Sequence, residues 1–257
     1  MFKNIYPLFA PKHLLKKEML ENLRDYPRSI FQILYQDHSD GILAGCELTV
    51  TEDHIVILPG IVYFKGLPYV LEKEWKVEYE AAGRLTYLKI RFLDREVGAG
   101  QEEYLSRVYL EETPPEDGYE IELARFKLQP GARLRDQYTD FFDFNTEFDT
   151  INRIYAPFSS LGKPSVDLQM LKGFSSALIR YPIQNPWDYP FVMDCMKLHT
   201  AMPYDQIKTY LNLRLSQEKE YSNWEIYEEL GRILLKAEGK GDRERQREKG
   251  ERRMLLL

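Results

Sequence analysis

The residue types in this chain that could do chemistry occur in clusters whose spacing rarely suits it. A phosphate-gripping loop needs glycine, four residues, then Gly-Lys-Ser/Thr, so that backbone amides wrap the phosphate and the hydroxyl holds magnesium. Leu161-Gly-Lys-Pro-Ser165 comes nearest, but Pro157 stands in place of the first glycine and Pro164 in place of the hydroxyl residue. That excludes an ATPase or helicase motor built on this loop. Gly98-Ala-Gly100 is a lone Gly-x-Gly outside any strand-to-helix context, and it reads as a hairpin loop. His13, His38, His54 and His199 share no ligand spacing with one another or with Cys46 and Cys195, so the fold itself would have to assemble a histidine metal site. Asp37-His38-Ser39-Asp40 holds the residue types of nucleophilic catalysis, yet sequence neighbours rarely aim at one another, and the segment reads as a polar turn before Gly41.

Two further clusters carry more weight. Asp136, Asp140, Asp143, Glu147 and Asp149 recur at spacings of four and three, which on a helix would gather carboxylates on one face and suit a hard cation. The order Asp-x-Asp-x-Asp-Gly of a calcium loop is missing. Interleaved Tyr138, Phe141, Phe142, Phe144 and Phe148 instead predict an interdomain connector anchored by aromatic rings. A metal-dependent enzyme built on Asp140 and Asp143 stays open as an alternative; no catalytic, cofactor-binding or metal-ligating residue is assigned.

Tyr181-Pro-Ile-Gln-Asn-Pro-Trp-Asp-Tyr-Pro-Phe191 is the place for recognition. Its prolines favour an extended segment, and Trp187, Tyr189 and Phe191 can deliver large apolar area at little cost in rotamer entropy. These three are the expected partner-binding residues. The alternative is a rigid loop folded onto its own helices. The tail from Lys240 to Arg253 mixes both charge signs and reads as solvated, against the alternative of a prophage nucleic-acid-processing accessory factor.

The elements that must position these residues change character along the chain. At 257 residues there is room for two modest domains, and 44% hydrophobic with 30% charged residues argues against disorder. A net charge of -6 argues against a general nucleic-acid binder. Two distant cysteines with no C-x-x-C spacing suggest neither a disulfide framework nor zinc; both should be reduced and at least partly buried. There is no charged n-region followed by an apolar h-region and no apolar run near the ~20 residues of a membrane span, so a cytoplasmic product and no membrane partner are expected.

Leu15, Met19, Leu20 and Leu23 predict a short amphipathic helix stopped at Tyr26-Pro27, with a second helix over Ile30 to Tyr35. From Leu48 the period falls to two. Leu85 to Leu93 predicts a half-buried strand with Thr86, Leu88, Ile90 and Phe92 on the covered face, paired with Tyr104 to Leu110; another strand spans Tyr119 to Leu128. Beyond Phe144 helices take over. Apolar stripes run through Val166, Met170, Leu171, Phe174 and Leu178, and through Tyr204, Ile207, Leu211 and Leu215. Ser222-Asn-Trp-Glu225 is a capping box opening a helix with Ile226, Leu230, Ile233 and Leu234 inward. The expected class is α+β: a β-rich domain over 1–140, a short N-terminal helix leading an antiparallel sandwich or barrel, then a small helical domain over 141–238 and a charged tail over 239–257.

Gly41-Ile-Leu-Ala-Gly-Cys-Glu-Leu-Thr-Val50, then Leu58-Pro-Gly60 and Lys65-Gly66, set short strands between glycine turns, and Ile121-Glu-Leu-Ala-Arg-Phe-Lys-Leu128 is followed by a return through Leu134-Arg-Asp136. This pattern, over about residues 9 to 136, resembles the N-terminal domain of phage-tail and contractile-injection baseplate or tail-fibre adaptor proteins. Leu8-Phe-Ala-Pro-Lys-His13 also resembles the N-terminus of the type VI secretion baseplate subunit. The resemblance implies a structural subunit that binds other baseplate or tail proteins rather than a small-molecule substrate. It also implies a homotrimer, made in the cytoplasm and then incorporated into a tail-like particle.

Overall fold

The computed structural model describes residues 3–5, 7–12, 14–98, 102–146 and 148–239. A long helix, α1 (Lys17–Tyr35), leads into eleven strands: β1 (Gly41–Gly45), β2 (Leu48–Val50), β3 (His54–Ile57), β4 (Gly60–Phe64), β5 (Leu67–Leu71), β6 (Trp75–Glu78), β7 (Thr86–Phe92), β8 (Glu96–Val97), β9 (Glu102–Glu103), β10 (Ser106–Glu111) and β11 (Glu120–Phe126). Four helices follow: α2 (Leu168–Leu178), α3 (Asp188–Lys197), α4 (Tyr204–Leu215) and α5 (Asn223–Ala237). The class is mixed α+β. No helix among the described residues is long and apolar enough to cross a membrane.

All strand pairs are antiparallel, in the orders β1-β4-β5, β2-β3-β6 and β10-β7-β11, with β8-β9 a separate ribbon. These small sheets contribute side chains to one shared core, among them Ile42, Ile55, Val62, Leu88, Leu123 and Phe126. The glycine pattern has a steric cause. Gly45 sits at φ +63, and a Cβ on Gly60 would lie 2.2 Å from the amide nitrogen of Cys46, so β1 and β4 can close only on hydrogen.

Two expectations need correction here. Pro27 does not stop the first helix; α1 runs through it. No residue of α1 is buried, so water can serve the Leu23 carbonyl that loses its amide partner. Strand β7 is covered on both faces rather than one, with Tyr87 and Lys89 buried as well as Leu88. It is the central strand of its sheet, and Lys89 is tolerated inside because its ammonium meets Glu111 at 2.7 Å and Glu120 at 3.0 Å.

The helical unit has its own core of Phe141, Phe144, Met170, Phe174, Phe191, Leu211, Ile226 and Leu230 with their neighbours. The α2 stripe and the inward face of α5 are buried as the spacing predicts, and Ser222 and Glu225 form the capping box. Between the units the chain crosses back. Asn152 bridges to Arg125, Thr150 to Arg135 and Phe158 to Ile42, so Ile151, Ala156 and Phe158 join the β core while Ile154 joins the helical one. Arg153 clamps this crossing. It is 3% exposed and reaches Glu47 at 2.9 Å and Asp167 at 3.2 Å, while its guanidinium lies over the Phe158 ring.

Candidate partner-binding surface

The Pro-Trp-Asp-Tyr-Pro segment is the start of a helix rather than an extended loop. The Asn185 side chain accepts a hydrogen bond from the Trp187 amide at 3.0 Å, and Pro190 falls within the first turn of α3, where a missing amide donor costs nothing. Asp188 anchors that turn. Its buried carboxylate accepts hydrogen bonds from the Tyr210 hydroxyl at 2.9 Å and the Arg214 guanidinium at 2.8 Å. Burial, reinforced by the Asp188 charge, pushes the Tyr210 hydroxyl well above its usual range.

Helical spacing then divides the three expected partner-binding residues. Phe191 faces inward, 4% exposed, and stacks on Tyr210 with ring centroids 3.8 Å apart. It is a core residue that supports the surface, which corrects its grouping with the other two. Trp187 and Tyr189 remain exposed, Tyr189 at 61%. Met193 and Met196 join them at i+4 and i+7 from Tyr189, also exposed. The two methionines were missed, although the recurrence Tyr189, Met193, Met196 signals them once Pro190 is recognised as a first-turn residue. Helix α3 is therefore apolar on both sides: Phe191, Val192 and Cys195 hold it to the core, and the Tyr189 side offers adaptable thioethers and a ring to solvent.

The acidic run forms no helical carboxylate face, because only a short 3-10 turn, Phe142–Asn145, lies within it. Each described carboxylate already has donors. Asp143 takes both Arg135 guanidinium nitrogens at 2.6 Å together with the Thr139 amide and the Thr146 hydroxyl, and the Arg135 pairing holds it well below the usual carboxylate range. Asp149 also meets Arg135, Asp140 accepts from the amides of Phe142 and Asp143, and Asp136 accepts from the amide of Val50. Among the described residues no group of three or more His, Cys, Asp or Glu side chains is placed to hold a metal. The aromatic half of the expectation fits: Tyr138 stacks on Phe144 at 3.9 Å, and Phe141 enters the helical core, although Phe148 is exposed.

The remaining polar motifs are also dispersed. Asp40 accepts from the Lys65 amide, the Ser39 carbonyl from the Ser159 hydroxyl, and the His38 ring meets Tyr35 edge-on. The Gly162 amide is spent on the Asp37 carbonyl rather than turned to a phosphate. Cys46 and Cys195 are free and buried. His13, Ala99, Gly100, Glu147 and the tail from Lys240 lie outside the described residues.

No protein-family model and no curated protein matches this chain. Among solved structures it is similar to a crystal structure of TssK, with 10% identity and a TM-score of 0.40, over 89% of this chain and 70% of that one. It is also similar to a chain in a cryo-electron-microscopy structure of the type VI secretion system TssK-TssF-TssG baseplate subcomplex, with 10% identity and a TM-score of 0.43, over 90% and 99%.

Proposed function

We propose that this chain is a structural subunit of a phage-tail-like or contractile injection particle, which docks on a baseplate through its β-rich half and joins a partner protein through α3. The observation that carries this reading is the doubly apolar α3: a helix fixed by one buried face while Trp187 at its N-cap and Tyr189, Met193 and Met196 along its outer side stay exposed. Preorganised aromatic and methionine side chains are what a protein interface concentrates at its centre. The baseplate setting is supported by the resemblance of the glycine-punctuated strands over residues 41–66 and 121–136. Self-association as a homotrimer belongs to the same proposal. The carboxylates of the metal-enzyme alternative are committed to Arg135 and to backbone amides, so that alternative draws no support.

The test is co-purification with co-expressed baseplate proteins, comparing wild type with Trp187→Ala/Tyr189→Ala. Recovery of a complex that the double variant loses, with its thermal unfolding unchanged, would support the reading. Equal recovery by both proteins would remove α3 from it.

A further inference from the structure

Helix α1 poses a physical problem that nothing else among the described residues resolves. It is a helix of 19 residues with a proline inside and no buried residue. Most helical stability in proteins comes from packing one face, and an interior proline removes a hydrogen bond and costs about 3 kcal/mol besides. Its contact with its own molecule is slight: the Phe31 ring stands 6.2 Å from that of Tyr63 and 4.5 Å from Tyr35, placing the Phe31 side toward the β unit.

The rest of the apolar set follows a different line. Met19, Leu23, Tyr26, Ile30 and Ile33 are separated by four, three, four and three residues, the alternation of a coiled-coil seam. Leu23, Tyr26, Ile30 and Ile33 are all exposed, Ile33 at 68%. The positions flanking this seam are Leu20, Asn22, Pro27, Ser29 and Leu34, none of them charged. The charged residues Lys17, Glu18, Glu21, Arg24, Asp25 and Arg28 lie off the seam and balance to zero, and Arg24 is already paired with Asp25 at 2.6 Å. Identical helices can therefore face one another with no like-charge repulsion, whereas a seam specific for a foreign helix is ordinarily marked by flanking charges that select it.

We propose that α1 is a self-association element, and that its Met19-Leu23-Tyr26-Ile30-Ile33 seam packs against the same seam of a second copy of this chain. The inference uses none of the α3 surface, but it rests on the self-association proposed above, for which it names the interface; an oligomer whose mass the α1 variant leaves unchanged would overturn this seam and leave that self-association standing. Pairing would cover the exposed apolar line and give α1 the packed face it lacks.

Two experiments on the full chain decide it. Light scattering coupled to size exclusion should give a mass at least double the 30.5 kDa of one chain, falling to that of one chain in Leu23→Asp/Ile30→Asp. Tyr26 is the central seam position, so Tyr26→Cys should be linked between copies by a short bis-maleimide whether the helices run parallel or antiparallel, while off-seam Gln32→Cys should not. The native thiols give little background, because burial pushes Cys46 up to about 11 and Cys195 up to about 12. The cysteine pair leaves the result independent of how well the aspartate variant folds. A monomeric wild type, a double variant of unchanged mass, or equal linking at positions 26 and 32 would each overturn the proposal.

Discussion

Helices α1 and α3 both turn apolar side chains to solvent, but their opposite faces differ. In α3 the inner residues Phe191, Val192 and Cys195 are buried and Asp188 is tied to Tyr210 and Arg214, so the outer surface is held before any partner arrives. In α1 nothing is buried, and its ring contacts to the rest of the described chain are those of Phe31 with Tyr63 and of Tyr35 with His38 at its C-terminal end. An exposed patch on a core helix is a feature of the folded chain by itself, whereas an exposed line on an unsupported helix depends on what covers it.

The largest expected effect breaks this comparison directly. Phe191→Ala removes a ring stacked on Tyr210 and edge-on to Phe174, and should cost about 3–5 kcal/mol in urea unfolding. Ile33→Ala, on the exposed line of α1, should change the same transition by less than about 0.5 kcal/mol under dilute conditions where chains are separate. Equal losses would mean that α1 is as deeply integrated as α3.

The crossing segment sharpens the contrast, since it ties the helical unit to the β core and leaves α1 aside. Arg153→Met strands the Asp167 carboxylate, 2% exposed, and should destabilise by about 3 kcal/mol. Adding Asp167→Asn, which can still cap α2, should restore part of that loss in a double-mutant cycle. If the second change adds further loss, the pair is not coupled.

Acid should act on the β10-β7-β11 sheet before it acts on either exposed helix surface. Burial pushes the Glu120 carboxyl up, but the Tyr109 hydroxyl, the Glu116 amide and Lys89 together pull it down to about 2. A folded pKa below the unfolded value of about 4.3 stabilises the protein above that pH, and the contribution is lost as pH falls from about 4.5 towards 2. Denaturant unfolding across that window should show a loss on the order of 2 kcal/mol, and Glu120→Gln should flatten the slope while lowering stability at neutral pH. An unchanged slope in the variant would place the acid sensitivity elsewhere.

What the sequence discloses follows from the range of the forces involved. The capping box at Ser222, the α2 and α4 stripes and the strand patterns of β7, β10 and β11 are local, and each is legible in a window of a dozen residues, whereas the pairing of β7 with β11 is not among the expectations. Lys89 was placed on the open face of β7 because its burial depends on Glu111 and Glu120, 22 and 31 positions away. The return of residues 150–158 to the β core was likewise invisible, since it rests on bridges to Ile42, Arg125 and Arg135. At the candidate surface Trp187 and Tyr189 are legible as candidate partner-binding rings but not as exposed ones, Phe191 is grouped with them although it is buried, and Met193 and Met196 carry no local signal until Pro190 is read as a first-turn residue. Proline punctuation at Pro182, Pro186 and Pro190 reads locally as extended chain, whereas Pro190 occupies a first helical turn.

Proline position also supplies the finest test of the comparison between the two helices. Pro190 lies in the first turn of α3 and deprives no carbonyl of a helical partner, so Pro190→Ala should leave both stability and backbone protection nearly unchanged. Pro27 lies in the interior of α1, where removing it returns a donor to the Leu23 carbonyl and relieves a cost of about 3 kcal/mol within the helix. Because α1 is outside both cores, that gain should not reach the global urea midpoint. It should emerge as slower amide hydrogen exchange over residues 24–35 and as greater helical ellipticity, with the rest of the chain unaltered. A shift of the global midpoint in Pro27→Ala would show that α1 unfolds together with the cores, and the contrast between a free helix and an anchored one would have to be given up.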